Sequence, residues 1–269
     1  MLTGMIVVSG ASGNVGVELV RVLGAAGQAV RPLRHADGED LNDPASLRSA
    51  LDGADGLFLL PGYADMPGLY AQAAAAGVRR VVQLSGASAA SGDRSNAVTA
   101  YMIRSEEAAR SSAVEWTILR PSAFAANALR WLPQLRDGDE VRLQYPEVAA
   151  AVIDPLDIAR VAAAALTGDG HAGRIYRLTG PQALRPAEQL AILGAALGRE
   201  LVAVPLSNAQ TRAEQRASMP EEYAEAFWNF YAEGALDESV VTDAVEQATG
   251  TPPRSFAAWC EAHAAEFAA

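Results

Sequence analysis

Residues 9–16 read Ser-Gly-Ala-Ser-Gly-Asn-Val-Gly, and this stretch decides the fold. Its glycines, Gly10, Gly13 and Gly16, directly follow the apolar run Met5 to Ser9 and directly precede a helical pattern over Val15 to Ala26. A loop in that position sets backbone N–H groups at a helix N-terminus, where the helix dipole favours a phosphate. Glycine permits the tight turn and the close approach of a pyrophosphate. The spacing is G-x-x-G-x-x-G rather than G-x-G-x-x-G, and a glycine triplet alone is a weak signal. A strand before it and a helix after it make it a dinucleotide-binding loop.

Working outward, apolar strands alternate with helices. Strands are expected over Ala29 to Leu33, Gly56 to Leu60, Arg80 to Ser85 and Trp116 to Leu119. Helices are expected over Pro44 to Leu51, Gly68 to Ala76 and Ala97 to Ser111, with Asp43 capping the first of them. Short strands without polar interruption belong to a parallel sheet covered on both faces. The fold class is therefore α/β, a doubly wound parallel sheet of the Rossmann type, with a smaller C-terminal α/β substrate region.

The second half is less regular. Helices are expected over Phe124 to Leu132, Asp157 to Leu166, Pro186 to Leu197, Met219 to Gly234, Ser239 to Ala248 and Ser255 to Phe267. Strands are expected over Val148 to Ile153, Ile175 to Leu178 and Leu201 to Val204. We place the NAD(P)-binding domain at residues 1–145 and the substrate-binding region at 146–269, packed on the core with some elements returning to the sheet.

The chain has 269 residues, enough for one sizeable domain with a cap, and 50% are hydrophobic. Its net charge of −11 argues against nucleic acid as a partner. No apolar run reaches the roughly 18 residues of a membrane span, and no basic-then-apolar leader precedes the first strand, so a cytoplasmic protein is expected. The single cysteine, Cys260, excludes an internal disulfide and a cysteine-based metal site. The histidines His35, His171 and His263 have no metal-ligand spacing, and no metal is expected. Asp154 and Asp157 read as helix N-terminal residues rather than an acid/base pair. All 21 basic residues are arginine, so no mechanism can use a lysine.

The cofactor's phosphates can be told apart by the end of the second strand. An acid there binds the ribose 2′-OH of NAD, and an arginine accommodates the 2′-phosphate of NADP. The strand ends Val30-Arg31-Pro32-Leu33-Arg34-His35, with no acid at its tip. Arg34 points to NADP(H) in preference to NAD(H), and His35 is placed to stack on adenine or to lie in solvent. Asp40 and Leu41 follow as a short acid-apolar pair that could line the adenine pocket.

Four stretches, VVSGASGNVG, AGVRRVVQLSGAS, EWTILRPSAFAAN and YRLTGP, carry a resemblance in their order and spacing. They resemble the NmrA-like branch of the atypical short-chain dehydrogenase/reductases, over Met5 to about Pro205. The resemblance implies a Rossmann core with a substrate cleft against a smaller C-terminal region. It implies NADP(H) more often than NAD(H), and either reduction of quinones and other carbonyl or enone compounds or a non-catalytic sensor of cofactor. It places the glycine loop on Gly10, Ser12, Gly13, Asn14, Val15 and Gly16, and the basic position on Arg34 or His35. It places Asp40, Leu41, Leu60, Pro61 and Gly62 at the adenosine and pyrophosphate. Ser85 and Gly86 fall beside the nicotinamide ribose, and Pro121, Phe124 and Asn127 near the nicotinamide.

Typical short-chain reductases use a Ser, a Tyr and a Lys four residues after the Tyr. Ser85 ends its strand where such a serine would lie, and Tyr101 is the tyrosine of the next helix. Four residues on stands Ser105; Arg104, one earlier, is where relatives carry a residue that touches the ribose. Arginine holds a ribose but does not relay a proton as lysine does. The candidate catalytic residues are Tyr101 and Ser85. Phe227, Trp228, Phe230 and Tyr231 form an aromatic group that is either core or pocket wall, and Trp131 and Tyr145 are candidates to join it; Trp228 and Tyr231 are alternatively a homodimer face. With Asn127, the candidate substrate residues are Trp131, Phe227, Trp228 and Tyr231. The expected function is an NADP(H)-dependent oxidoreductase reducing a quinone, enone or ketone small molecule without a Tyr-Lys relay. The alternatives are a redox sensor that binds a protein partner and a non-redox tailoring enzyme. A monomer or homodimer is expected.

Overall fold

The computed structural model describes residues 4–34 and 38–267. Its strands are β1 (Met5–Val8), β2 (Val30–Pro32), β3 (Ala54–Leu59), β4 (Arg80–Leu84), β5 (Glu115–Pro121), β6 (Glu140–Leu143), β7 (Arg174–Leu178) and β8 (Val202–Pro205). Its helices are α1 (Asn14–Ala25), α2 (Met66–Ala75), α3 (Ala97–Arg110), α4 (Leu132–Asp137), α5 (Pro155–Thr167) and α6 (Pro186–Leu197). They continue as α7 (Asn208–Ser218), α8 (Glu221–Tyr231), α9 (Ala244–Thr249) and α10 (Phe256–Phe267). Six strands form one parallel sheet in the order β2-β1-β3-β4-β5-β7, while β6 and β8 pair apart from it. This is the doubly wound α/β fold expected from the opening stretch.

Successive strand residues serve opposite faces of the sheet. Ile6, Val8, Phe58, Val82 and Leu119 pack with Leu19, Leu23 and Ile158 under α1 and α5. Val7, Leu57, Val81 and Ile118 pack with Leu47, Leu69 and Ala109 under α2 and α3. Both faces are dry, which is why these strands carry no alternating polar residues. A third core joins Trp131, just before α4, to Leu135, Val141, Leu193, Phe256 and Trp259 of α4, β6, α6 and α10.

The strand order reverses beside β1, which has β2 on one side and β3 on the other. Chain connections leave these strands in opposite directions, opening a crevice at their C-terminal ends.

Several elements depart from expectation. Residues 44–51 form only a 3-10 turn over Pro44–Leu47, although Asp43 caps it as anticipated. The Arg31 guanidinium takes the carbonyls of Ser49 and Ala50 at 2.9 Å each, which competes with a continuing helix. Residues 124–132 are mostly a second 3-10 turn, Ala125–Trp131, that passes into α4. The apolar run 148–153 is no strand. Its backbone bonds are scattered over Ala123, Ala125, Gly180 and Glu238, with one reciprocal pair between Ala150 and Leu184. Helix begins at Ala244 rather than Ser239, because Thr242 is held by Thr179 and the Arg177 carbonyl. No helix among the described residues is long and apolar enough to cross a membrane.

Candidate functional site

The glycine loop leaves β1 and turns at Gly10, whose φ is +62°. A Cβ on Gly10 would lie 2.4 Å from Leu60 Cδ1, and one on Gly16 would lie 2.0 Å from the Gly10 carbonyl oxygen. The first contact seats the loop against the chain leaving β3, and the second lets α1 begin directly beneath the turn. Ser9 adds a tie the sequence did not signal: its buried hydroxyl accepts the Leu60 amide at 3.0 Å. Helices α2, α3 and α5 are capped by Asp65, Asn96 and Asp154, but α1 starts from Gly13 with no side-chain cap and no acid in its first turn. Its first-turn amides are therefore free for an anion. Uncapped amides and a cradle that a Cβ would fill fit the pyrophosphate of a dinucleotide.

Around this loop the remaining candidates take their places. Asp40 shapes a turn, accepting the Asn42 amide at 2.9 Å and giving its own amide to Ser46. Asn42 in turn accepts the Ala64 amide at 3.2 Å, linking this turn to the segment beyond Pro61 and Gly62. Leu41 packs against the α2–α3 core. Arg34 is exposed at the end of β2, and its amide donates to the Glu39 carboxylate at 2.6 Å. His35 lies outside the described residues.

Helix α3 brings Tyr101 to the same edge. Its ring packs on Gly62, where a Cβ would approach Tyr101 Cδ2 to 3.2 Å. Burial raises the Tyr101 phenol above its ordinary value, with Tyr223 adding to the shift. Ser105, at the position where typical relatives carry lysine, is buried. It accepts the Gly62 amide at 3.0 Å and donates to the Tyr101 carbonyl at 2.8 Å. Arg104 instead lines a broad groove between α2 and α3 with Tyr63, Met66 and Tyr70. That groove opens between helices rather than at the C-terminal edge of the sheet.

Ser85 is buried at the end of β4 and donates to Glu106 Oε1 at 2.7 Å. Arg120 binds the same carboxylate through Nε at 2.7 Å and Nη2 at 2.6 Å, and Arg110 adds a third cation contact at 2.6 Å. Buried Glu106 is thus balanced by two guanidinium groups. The Ser85 proton is committed to that cluster, while its lone pairs remain available to a neighbour. Gly86 opens the next 3-10 turn, Ala87–Ser91.

Beyond Pro121 the chain enters a narrow cleft with a volume of about 80 Å³. Phe124, Asn127, Trp131 and Tyr231 line it, together with Tyr145 and Glu238. Phe227 backs the wall, stacked on Tyr231 at 6.3 Å. Trp228 points elsewhere, donating to Glu233 at 3.2 Å with Arg212 over its ring at 4.7 Å.

Two features of this cleft were not legible. Glu238 is buried and accepts the Tyr231 hydroxyl at 2.8 Å. Burial raises the Glu238 carboxyl, and burial followed by Glu238 raises the Tyr231 phenol. Tyr145 has φ +47°, a strained conformation for a bulky residue. Its hydroxyl donates to the Gln215 side-chain Oε1 at 2.7 Å, and its ring lies 5.2 Å from the Tyr231 ring. Gln215 comes from α7, a helix without an apolar stripe and hence without a sequence signal. Cys260 is buried in the third core, its thiol pushed up by burial to about 12, so it is no nucleophile.

A family model described as NAD(P)H-binding matches residues 10–169. The chain belongs to the NAD(P)H-binding family. Its match begins at the first glycine of the loop and runs through β2, β3, β4 and β5 of the sheet to the end of α5. A relative within reach of the whole chain is a (4-alkanoyl-5-oxo-2,5-dihydrofuran-3-yl)methyl phosphate reductase of Streptomyces griseus, 39% identical, covering 98% of this chain and 99% of the relative. Another is an NAD(P)H azoreductase of Xenophilus azovorans, 35% identical, covering 98% and 100%. An Escherichia coli NADPH-dependent quinone oxidoreductase, solved with NADPH, shares the fold with a TM-score of 0.73. It is 21% identical, covering 96% of this chain and 99% of that one. The dinucleotide-binding reading of the glycine loop is borne out, and this NAD(P)H-binding protein is an oxidoreductase using a nicotinamide cofactor.

Proposed function

We propose that the protein reduces a conjugated carbonyl acceptor, an enone or quinone, with NADPH preferred over NADH. The observation that carries this reading is that Ser105 stands where an activating lysine would, four residues after Tyr101, with its hydroxyl engaged by the Gly62 amide and the Tyr101 carbonyl. Burial raises Tyr101, Tyr145 and Tyr231 alike, and the chain has no lysine to lower any of them.

When bound in the glycine loop, NAD(P)H supplies the hydride. The chain's own residues then have to bind, orient and exclude water. Gly10, Gly13 and Gly16 with the first turn of α1 hold the pyrophosphate; Phe124, Trp131 and Tyr231 wall the acceptor. With no strong acid at hand, a favoured acceptor is one whose own conjugation spreads the developing negative charge. General acid help is typically worth ~10²–10⁴-fold, so a simple ketone would suffer most from its absence. The names of the Streptomyces and Xenophilus relatives, a dihydrofuranone phosphate reductase and an azoreductase, are in keeping with activated acceptors. Arg34, exposed at the tip of β2, supports the 2′-phosphate and hence NADPH.

The test follows reduced-nicotinamide absorbance with enone, quinone and unconjugated ketone acceptors, using NADPH and NADH in turn. Turnover of conjugated acceptors well above that of ketones is expected. Equal rates for ketones, or none for any conjugated acceptor, would overturn the reading.

A further inference from the structure

The cleft contains an arginine that no part of the mechanism above uses. Arg130 lies on its wall, in the 3-10 turn Ala125–Trp131. A 3-10 turn has three residues per turn, so side chains three apart stand directly in line. Phe124, Asn127 and Arg130 have that spacing, and all three line the cleft. They form a row that starts with an aromatic ring where the chain leaves β5, continues with an amide and ends in a guanidinium.

Arg130 has no carboxylate partner among the described residues. Its one close neighbour of note is the Trp131 ring, with the guanidinium carbon 5.9 Å from the centroid. Arg120 and Arg110 are engaged by Glu106, and Arg177 by the Asp237 carbonyl. Glu238 is the single carboxylate among the lining residues, and it is engaged by Tyr231. The Arg130 surface is open to the cleft, while the protein packed around its head group lowers its pKa through burial, Tyr231 acting in the opposite sense. An arginine stays charged under such a shift. An exposed cation without a carboxylate partner, on the wall of a cleft it shares with Phe124 and Asn127, is a place for the anion of a ligand.

We propose that Arg130, assisted by Asn127, binds an anionic substituent of the acceptor, a phosphate monoester or a carboxylate. This rests on the cleft being the acceptor site. Phe124 then meets the conjugated body, and the charged arm extends along the row to Arg130. The guanidinium offers paired N–H donors to two oxygens of either group, and Asn127 offers an amide donor alongside. The acceptor class narrows to conjugated carbonyl compounds bearing a negative charge on a short arm.

The test is calorimetric titration of the protein saturated with NADP⁺, which does not depend on turnover. Three ligands are compared: an acyl-dihydrofuranone methyl phosphate, its free alcohol, and the analogue in which the alcohol carbon is a carboxylate. Charge-assisted hydrogen bonds predict at least about 10-fold tighter binding of the phosphate than of the alcohol. Position of the carboxylate between them, or beside the phosphate, tells which anion the row fits. Arg130→Ala should collapse the difference between anion and alcohol, and Arg130→Lys should restore part of it. Unfolding midpoints of both variants guard against a folding defect, and Asn127→Ala gives a smaller loss in a residue that is itself exposed. Equal binding of all three ligands, binding of none, or an anion preference that survives Arg130→Ala would overturn the proposal. Turnover of conjugated acceptors without an anion preference would leave the reductase reading standing. Anion-selective binding without turnover of any acceptor would do the reverse.

Discussion

The hydroxyl of Ser105 accepts the amide of Gly62 at 3.0 Å, at the position where a catalytic lysine would stand in a typical relative. The side chain that would tune a tyrosine instead fixes the loop beside the glycine turn. Ser105→Ala should leave the Gly62 amide without its protein partner and cost about 0.5–1.5 kcal/mol. Chemical denaturation would read the stability loss, and cofactor titration should show weaker binding as the loop loosens. Unchanged stability together with unchanged cofactor affinity would mean that water replaces Ser105.

Gly16 and Gly24 both lie in α1, yet they should respond oppositely to alanine. A Cβ on Gly16 would sit 2.0 Å from the Gly10 carbonyl oxygen, a backbone atom that cannot step aside. Gly16→Ala should therefore push α1 off the loop and abolish NADPH binding. A Cβ on Gly24 meets nothing within 4 Å, so Gly24→Ala should stabilise the helix by roughly 0.5–1 kcal/mol and leave binding intact. Fluorescence titration with NADPH and thermal melts distinguish the two.

Arg34 and Glu39 meet at the end of β2, where the Arg34 amide donates to the carboxylate at 2.6 Å. The expected 2′-phosphate ligand thus has an acid close by. Arg34→Ala should weaken NADPH by about 10-fold or more, the worth of a charge-assisted contact, and NADH far less. Glu39→Gln should favour NADPH by removing repulsion toward the phosphate. Equal losses for both cofactors in Arg34→Ala would remove Arg34 from the 2′-phosphate site.

How much of this was readable follows the physics of each segment. The sheet was legible because strands dry on both faces leave unbroken apolar runs, and Gly10, Gly13 and Gly16 stand out as residues without side chains. The 148–153 run is equally apolar, but burial alone does not specify a ladder, and its backbone bonds are shared among loops. Helix α7 was invisible because only Thr211 and Gln215 of it are buried. Glu238 was missed for the same kind of reason: a lone acid in an irregular segment carries no period, and only tertiary packing joins it to Tyr231. The row of Phe124, Asn127 and Arg130 depends on a three-residue turn, which a search for 3.6-residue periodicity passes over.

The Glu238 carboxyl gives the chain a pH dependence whose sign can be worked out. Burial raises its pKa above the ordinary 4.5, so over the window between the two values the folded protein holds more protons than the unfolded chain. Stability must then fall as pH rises through that window, and be favoured below it. Tyr231 and the Ala123 amide, which bond to the carboxylate, moderate the shift without cancelling it. Glu238→Gln keeps an oxygen to accept the Tyr231 hydroxyl but cannot ionise. Its stability should decline less than that of the parent from pH 4.5 upward, as read by urea denaturation at a series of pH values. Parallel curves for the two proteins would place the Glu238 carboxyl at its ordinary value and remove it as a source of pH dependence.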